Sequence, residues 1–130
     1  MKIAFVDDEQ ACLDEMERLC SSFGEERGYP VEVVSFDSGE TFLEAFAAGG
    51  FDLVFMDVYM EDMDGIAAAF QMRRQDRSCL LVFLTSSAEF MPDAFSCHAF
   101  EYITKPFSRK RIFDVLSDAA KVLPRERRYM

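Results

Sequence analysis

Four short apolar runs limit the fold of this chain more than any other feature. They are Ile3-Ala4-Phe5-Val6, Leu53-Val54-Phe55-Met56, Leu80-Leu81-Val82-Phe83-Leu84 and the stretch 100–103. Short β-rich runs of this kind, separated by helical patterning, form strands buried on both faces of a parallel sheet. Each run gives way to polar residues: Asp7-Asp8, then Asp57, then Thr85, then Lys105-Pro106. In a parallel sheet all carboxyl ends share one edge, where ligand crevices form. Three carboxylates, one hydroxyl and one ammonium are therefore predicted to converge there. That set suits a divalent cation and a phosphoryl group.

The intervening stretches read as helices. Leu13, Met16, Leu19, Cys20 and Phe23 recur at helical spacing and predict a helix over 9–23. Gly24 and Gly28 break that pattern ahead of a second strand over 31–36. Asp37-Ser38-Gly39-Glu40 offers polar side chains for the next helix start, Phe42, Leu43 and Phe46 line it, and Gly49-Gly50 ends it. A strand over 52–56 leads through a loop to Asp64-Gly65 and a helix reaching 74. After Thr85 a weaker helix carries Phe90, Ala94 and Phe95, with Pro92 in its first turn. Ser108 can cap a last helix whose Ile112, Leu116, Ala119 and Leu123 face inward. Five strand–helix repeats with right-handed crossovers make one α/β domain over 1–123. The polar, basic residues 124–130 read as a linker or C-terminal tail.

Composition narrows the function. Half of the 130 residues are hydrophobic, with 14 Phe and no Trp, which predicts a globular domain. A formal net charge of -10 opposes any grip on nucleic acid backbone by this segment alone. Cys12, Cys20, Cys79 and Cys97 lack a C-x-x-C or paired-His spacing, so zinc and thioredoxin-type redox chemistry have no support. They read as small buried hydrophobes in a reducing compartment. The chain turns acidic at Asp7, too early for a signal peptide, and no apolar run approaches a membrane span. A cytoplasmic location without membrane contact is expected.

The cluster itself suggests a mechanism. Magnesium keeps several waters and takes one or two carboxylates beside phosphate oxygens. Asp8 and Asp57 can supply carboxylates, Asp7 a ligand directly or through water, and Tyr59 a backbone carbonyl. With the cation in place Asp57 can act as a nucleophile toward phosphorus. Lys105 adds a mobile positive charge, and Thr85 offers a hydroxyl to a phosphoryl oxygen.

In this order the residues resemble the receiver domain of two-component response regulators, over roughly 1–123. The resemblance implies that Asp7 and Asp8 are the acidic metal-binding pair and Asp57 the phosphoacceptor. Thr85 then matches the switch hydroxyl, Lys105 the family's lysine, Pro106 the following proline in a cis bond, and Tyr102 the switch aromatic. It also implies a flavodoxin-like, doubly wound five-stranded parallel sheet of order 2-1-3-4-5 with five helices. Further implied are Mg2+ as cofactor, a sensor histidine kinase as phosphodonor, and a homodimer on phosphorylation. Slow self-dephosphorylation is implied in place of enzymatic turnover. Residues 60–65 match the loop after the acceptor, except that Glu61 replaces the usual proline. The stretch 98–107 is similar to receivers that precede LytTR-type DNA-binding domains. DNA contact would then come only through an output domain absent from this chain.

Competing readings fit less well. A phosphorylation-independent interaction or dimerisation module of the same fold would normally have lost an acidic residue, and all are present. A haloacid-dehalogenase phosphatase would want a second Asp where Tyr59 stands. A flavodoxin would need a phosphate cradle where Asp7-Asp8-Glu9 repels phosphate. His98 is expected to be structural, and Phe90, Phe95 and Phe100 to belong to the core or a switch face.

Overall fold

Two apolar layers on either side of one sheet organise the chain, seen in a computed structural model that describes residues 1–61 and 63–123. The strands are β1 (Lys2–Val6), β2 (Glu32–Phe36), β3 (Leu53–Met56), β4 (Leu80–Thr85) and β5 (Glu101–Thr104). The helices are α1 (Gln10–Arg27), α2 (Gly39–Ala47), α3 (Gly65–Gln75), α4 (Met91–Ser96) and α5 (Arg109–Val122). All strand pairs are parallel and the sheet order is β2-β1-β3-β4-β5, the order the resemblance implied.

Alternation along each strand builds the two layers. Ile3, Phe5, Leu53, Phe55, Val82 and Leu84 pack with Leu13, Met16 and Phe23 of α1 and Ile112 and Leu116 of α5. Ala4, Val6, Val54, Met56, Leu81 and Phe83 pack with Phe42 and Phe46 of α2 and Ala68, Ala69 and Met72 of α3. Burying a large apolar side chain is worth about 1.5–3 kcal/mol, so these layers dominate the stability. Polar caps set the helix starts: Ser38, Asp64 and Ser108 each accept from the backbone amide three residues on.

Some expectations are corrected. Helix α1 does not stop at residue 23 but runs to Arg27, with Gly24 inside it. A Cβ at Gly24 would lie 2.9 Å from Tyr29 O, so glycine there serves close packing of the returning chain. The true terminator is Gly28, left-handed at φ 62. Cys20, Cys79 and Cys97 are buried as expected, whereas Cys12 is half-exposed. Of the two places left open for Phe95, the core or an outer face, it takes the outer face, 85% exposed on α4. Phe90 and Phe100 are half-buried. His98, exposed and left-handed at φ 54, follows the end of α4. The linker or tail assigned to 124–130 lies outside the described residues, as does one residue of the 60–65 loop.

Candidate functional site

The strand ends do converge. The Asp7 amide extends the β1–β2 pairing by donating to Phe36 O at 3.0 Å, and the Asp57 amide donates to Val6 O at 2.9 Å. On the other side the Lys105 amide donates to Thr85 O at 2.8 Å. These backbone bonds fix four side chains at one sheet edge. The Lys105-Pro106 peptide bond is cis.

Lys105 lies among the carboxylates. Its Nζ donates to Asp7 Oδ2 at 2.9 Å and lies 3.6 Å from Asp57 Oδ2. Asp7 Oδ1 also accepts the Glu9 amide at 2.9 Å, and Asp57 Oδ1 accepts the Tyr59 amide at 3.3 Å. Asp7 and Asp57 are buried and Asp8 is exposed, and all three offer oxygens within 4.8 Å of one another. Thr85 is fully buried, and its Oγ1 makes no hydrogen bond of ordinary length among the described residues, although it lies near enough to Asp57 to favour that carboxylate's charged form. Burial of an unpaired hydroxyl costs free energy, and a ligand oxygen would remove that cost.

The charges do not balance. Burial, then the neighbouring charge of Asp7, pushes Asp57 up to about 6, against the pull of Lys105, the Tyr59 amide and the nearby Thr85 hydroxyl. For Lys105, burial works against the charged form. The hydrogen bond to Asp7 and the charges of Asp57 and Asp7 outweigh it, and its pKa is raised. Three carboxylates facing one ammonium leave negative charge uncompensated. With hard oxygen donors only, the set fits a divalent cation of the Mg2+ or Ca2+ kind.

Space at the site is uneven. The cavity that touches Asp57, beside Asp7 and Cys12, holds about 10 Å³, room for no more than a water. An open pocket of about 360 Å³ lies beside Asp8, lined by Asp37, Ser38, Met60 and Glu61. Cys12 is a spectator thiol: burial and then Asp7 push it up to about 12, so it stays protonated.

The loop after Asp57 folds back on that residue. The Gly65 amide donates to Val58 O at 3.0 Å, and a Cβ at residue 65 would lie 1.9 Å from Asp57 O. Tyr59 leaves this loop exposed and donates its hydroxyl to Glu89 Oε1 at 2.6 Å. Tyr102, half-buried, donates to Ser87 O at 2.5 Å, with its ring 6.1 Å from that of Phe83.

Two residues of this region carry no sequence signal. Glu89 is one acidic residue among 24, and its partner lies 30 positions away. Arg73 donates to the carbonyls of Cys97, Cys79 and His98, and carbonyl partners leave no mark in a sequence.

A sequence profile of the response regulator receiver domain matches residues 3–117. The transcriptional regulatory protein LytR of Staphylococcus aureus (strain N315) is 30% identical over 112 residues, covering 86% of this chain and 44% of LytR. This chain thus spans less than half the length of that relative. The crystal structure of the response regulatory domain of protein MrkE from Klebsiella pneumoniae has a TM-score of 0.84 at 29% identity, covering 93% of this chain and 96% of that one. The response regulator protein TrrA from Thermotoga maritima, solved in complex with Mg(2+)-BeF, has a TM-score of 0.74 at 27% identity, covering 91% and 97%.

Proposed function

This chain belongs to the response regulator receiver domains, and from that premise we propose that it is a switch thrown by phosphorylation of Asp57. One observation carries the reading. Asp57 is a buried carboxylate 3.6 Å from Lys105 Nζ, grouped with Asp7 and Asp8, beside the buried Thr85 hydroxyl. This is a nucleophile, a cation site, a counter-charge and a hydroxyl without a bond of ordinary length in one place.

Asp7, Asp8, Asp57 and the Tyr59 carbonyl would hold Mg2+, which when bound draws negative charge off phosphoryl oxygens. An Asp57 oxygen attacks the phosphorus of a phosphohistidine on a sensor histidine kinase. The new O–P bond forms as the P–N bond breaks, and the electron pair leaves on the imidazole, which takes up a proton. Lys105 balances charge between Asp7 and the phosphoryl group. The Thr85 hydroxyl then donates to a phosphoryl oxygen, which satisfies it and draws the chain after β4 inward. Tyr102 repacks with it, and the surface around α4, β5 and α5 changes its affinity for partners. Slow attack by water on the acyl phosphate resets the switch, without turnover of a separate substrate.

Residues 1–123 form the receiver in this reading, and 124–130 begin a linker. LytR is named a transcriptional regulator and is matched over 44% of its length, which supports a separate DNA-binding output domain of LytTR type. A cytoplasmic location and dimerisation on phosphorylation go with it. Among the described residues no helix is long and apolar enough to cross a membrane.

Intact mass after incubation with acetyl phosphate and Mg2+ tests the reading, with Asp57→Asn alongside. The expected result is a Mg2+-dependent gain of one phosphoryl group, absent in the variant. No gain in the folded wild-type chain would sink the switch and favour a phosphorylation-independent interaction module.

A further inference from the structure

Residues 86–98 connect β4 to the loop before β5 and contain α4, and their two ends are held in different ways. At the far end the half-buried Arg73 guanidinium, from the last turn of α3, gathers backbone carbonyls. Its Nε donates to Cys97 O at 2.8 Å, Nη2 to His98 O at 3.1 Å and Nη1 to Cys79 O at 2.6 Å. One planar cation thus joins the chain before β4 to the chain after α4. Just beyond, the Phe100 amide donates to Leu81 O at 2.6 Å, which continues the attachment.

The near end is held lightly. Residues 86–91 are exposed or half-exposed. Among the described residues, the hydroxyls of Tyr102, bonded to Ser87 O at 2.5 Å, and of Tyr59, bonded to Glu89 Oε1 at 2.6 Å, tie them to the rest of the chain, with Ser87 also beside the Tyr59 hydroxyl and the Phe90 backbone beside that of Tyr102. The Tyr59 ring also meets Phe90 edge-on at 5.4 Å. Tyr59 belongs to the loop whose amide bonds Asp57, while Glu89 follows the strand that ends in Thr85. One side chain therefore bridges the acceptor's loop to the segment that Thr85 begins.

We propose that the Tyr59–Glu89 hydrogen bond is a latch holding the near end of the 86–98 segment at rest, with Arg73 as the fixed pivot at its far end. The role given to the released segment rests on the switch function above; the latch itself does not. Any inward movement of Thr85 draws residues 86–89 with it, and the bond to Tyr59 must then break or drag the acceptor's loop along. The far end resists following, because leaving Arg73 would take the Cys97 and His98 carbonyls from a half-buried charged group. Displacement is thereby confined to the end nearest Asp57.

Hydrogen–deuterium exchange on the full 130-residue chain, read by mass spectrometry, tests the latch. Tyr59→Phe keeps the ring against Phe90 and removes only the hydroxyl, and Glu89→Ala removes only the acceptor. In the unphosphorylated state each is expected to speed exchange of amides 86–91 about three-fold, the scale of one exposed hydrogen bond. The double variant should add nothing, and amides 96–99 should be unchanged in all three. Arg73→Lys should instead loosen 96–99. Unchanged exchange at 86–91 in both single variants, or equal acceleration at both ends, overturns the latch. Phosphoryl gain from acetyl phosphate is measured on the same preparations. A wild-type chain that takes no phosphoryl group, with the expected exchange pattern, overturns the switch and leaves the latch standing. Normal phosphoryl gain with wild-type exchange in the variants overturns the latch alone.

Discussion

Replacing Asp57 by Asn should stabilise the metal-free protein at neutral pH. In the unfolded chain the Asp57 carboxyl titrates near 3.8, whereas in the fold it is pushed up to about 6 by burial and Asp7. Between those values the folded state binds more protons than the unfolded one, so stability falls as pH rises and levels off above about 6. A separation of about two pH units corresponds to about 3 kcal/mol. Asp57 is only 6% exposed, so solvent screening takes little from that figure. Asn cannot ionise and escapes this loss. Urea unfolding followed by circular dichroism, in chelator, should place the Asp57→Asn midpoint higher at pH 7 by about 1.5 M, taking a slope near 2 kcal/mol/M. The advantage should shrink toward zero near pH 4. If the cluster holds Mg2+ as proposed, adding it should narrow the gap at pH 7, because the wild-type set with its third carboxylate would bind the ion more tightly than the variant. A variant no more stable than wild type at pH 7, or equally favoured at pH 4 and pH 7, would refute the argument.

Further outcomes follow from other contacts. Lys105→Met removes the cation bonded to Asp7 at 2.9 Å and should lower metal-free stability by about 3 kcal/mol, since a largely buried partner is left unpaired. The loss should be largely restored by Mg2+, and urea midpoints with and without the ion would reveal a failure of either half. Ser108→Ala removes the α5 cap that accepts from Arg111 at 3.0 Å and should cost about 1 kcal/mol, read as a lower thermal midpoint. Phe95→Ser, on a side chain 85% exposed, should leave stability within about 0.5 kcal/mol, and a larger drop would mean that the side chain packs in solution.

Strands β1, β3 and β4 and the edge they share were legible because each buried run is short, apolar on both faces and ends at a polar residue, whereas β5 carries Glu101 and buries Ile103 alone of its four residues. The inward residues of α1 and α5 were legible for the same kind of reason, a period of 3.6 over several turns. Gly24 was misread because glycine usually interrupts a helix, and the backbone oxygen it makes room for belongs to a later turn. The sheet order came from the family resemblance, since apolar periodicity says which face is buried but not which strand lies beside which. Tyr59 was singled out for its carbonyl, while its hydroxyl reaches Glu89 across two loops. No local pattern encodes such a contact. Arg73 is the extreme case: its partners are carbonyl oxygens, and any residue can supply one.

Gly65 touches no ligand in any of this chemistry, yet a single added methyl would collide with the carbonyl oxygen of Asp57 at 1.9 Å. In a library of random substitutions screened for phosphorylation, position 65 should therefore be as intolerant as position 57. Even alanine there must move either the start of α3 or the backbone that aims Asp57. The missing side chain functions as a spacer of zero thickness, making the aim of Asp57 and the seating of a whole helix one geometric decision.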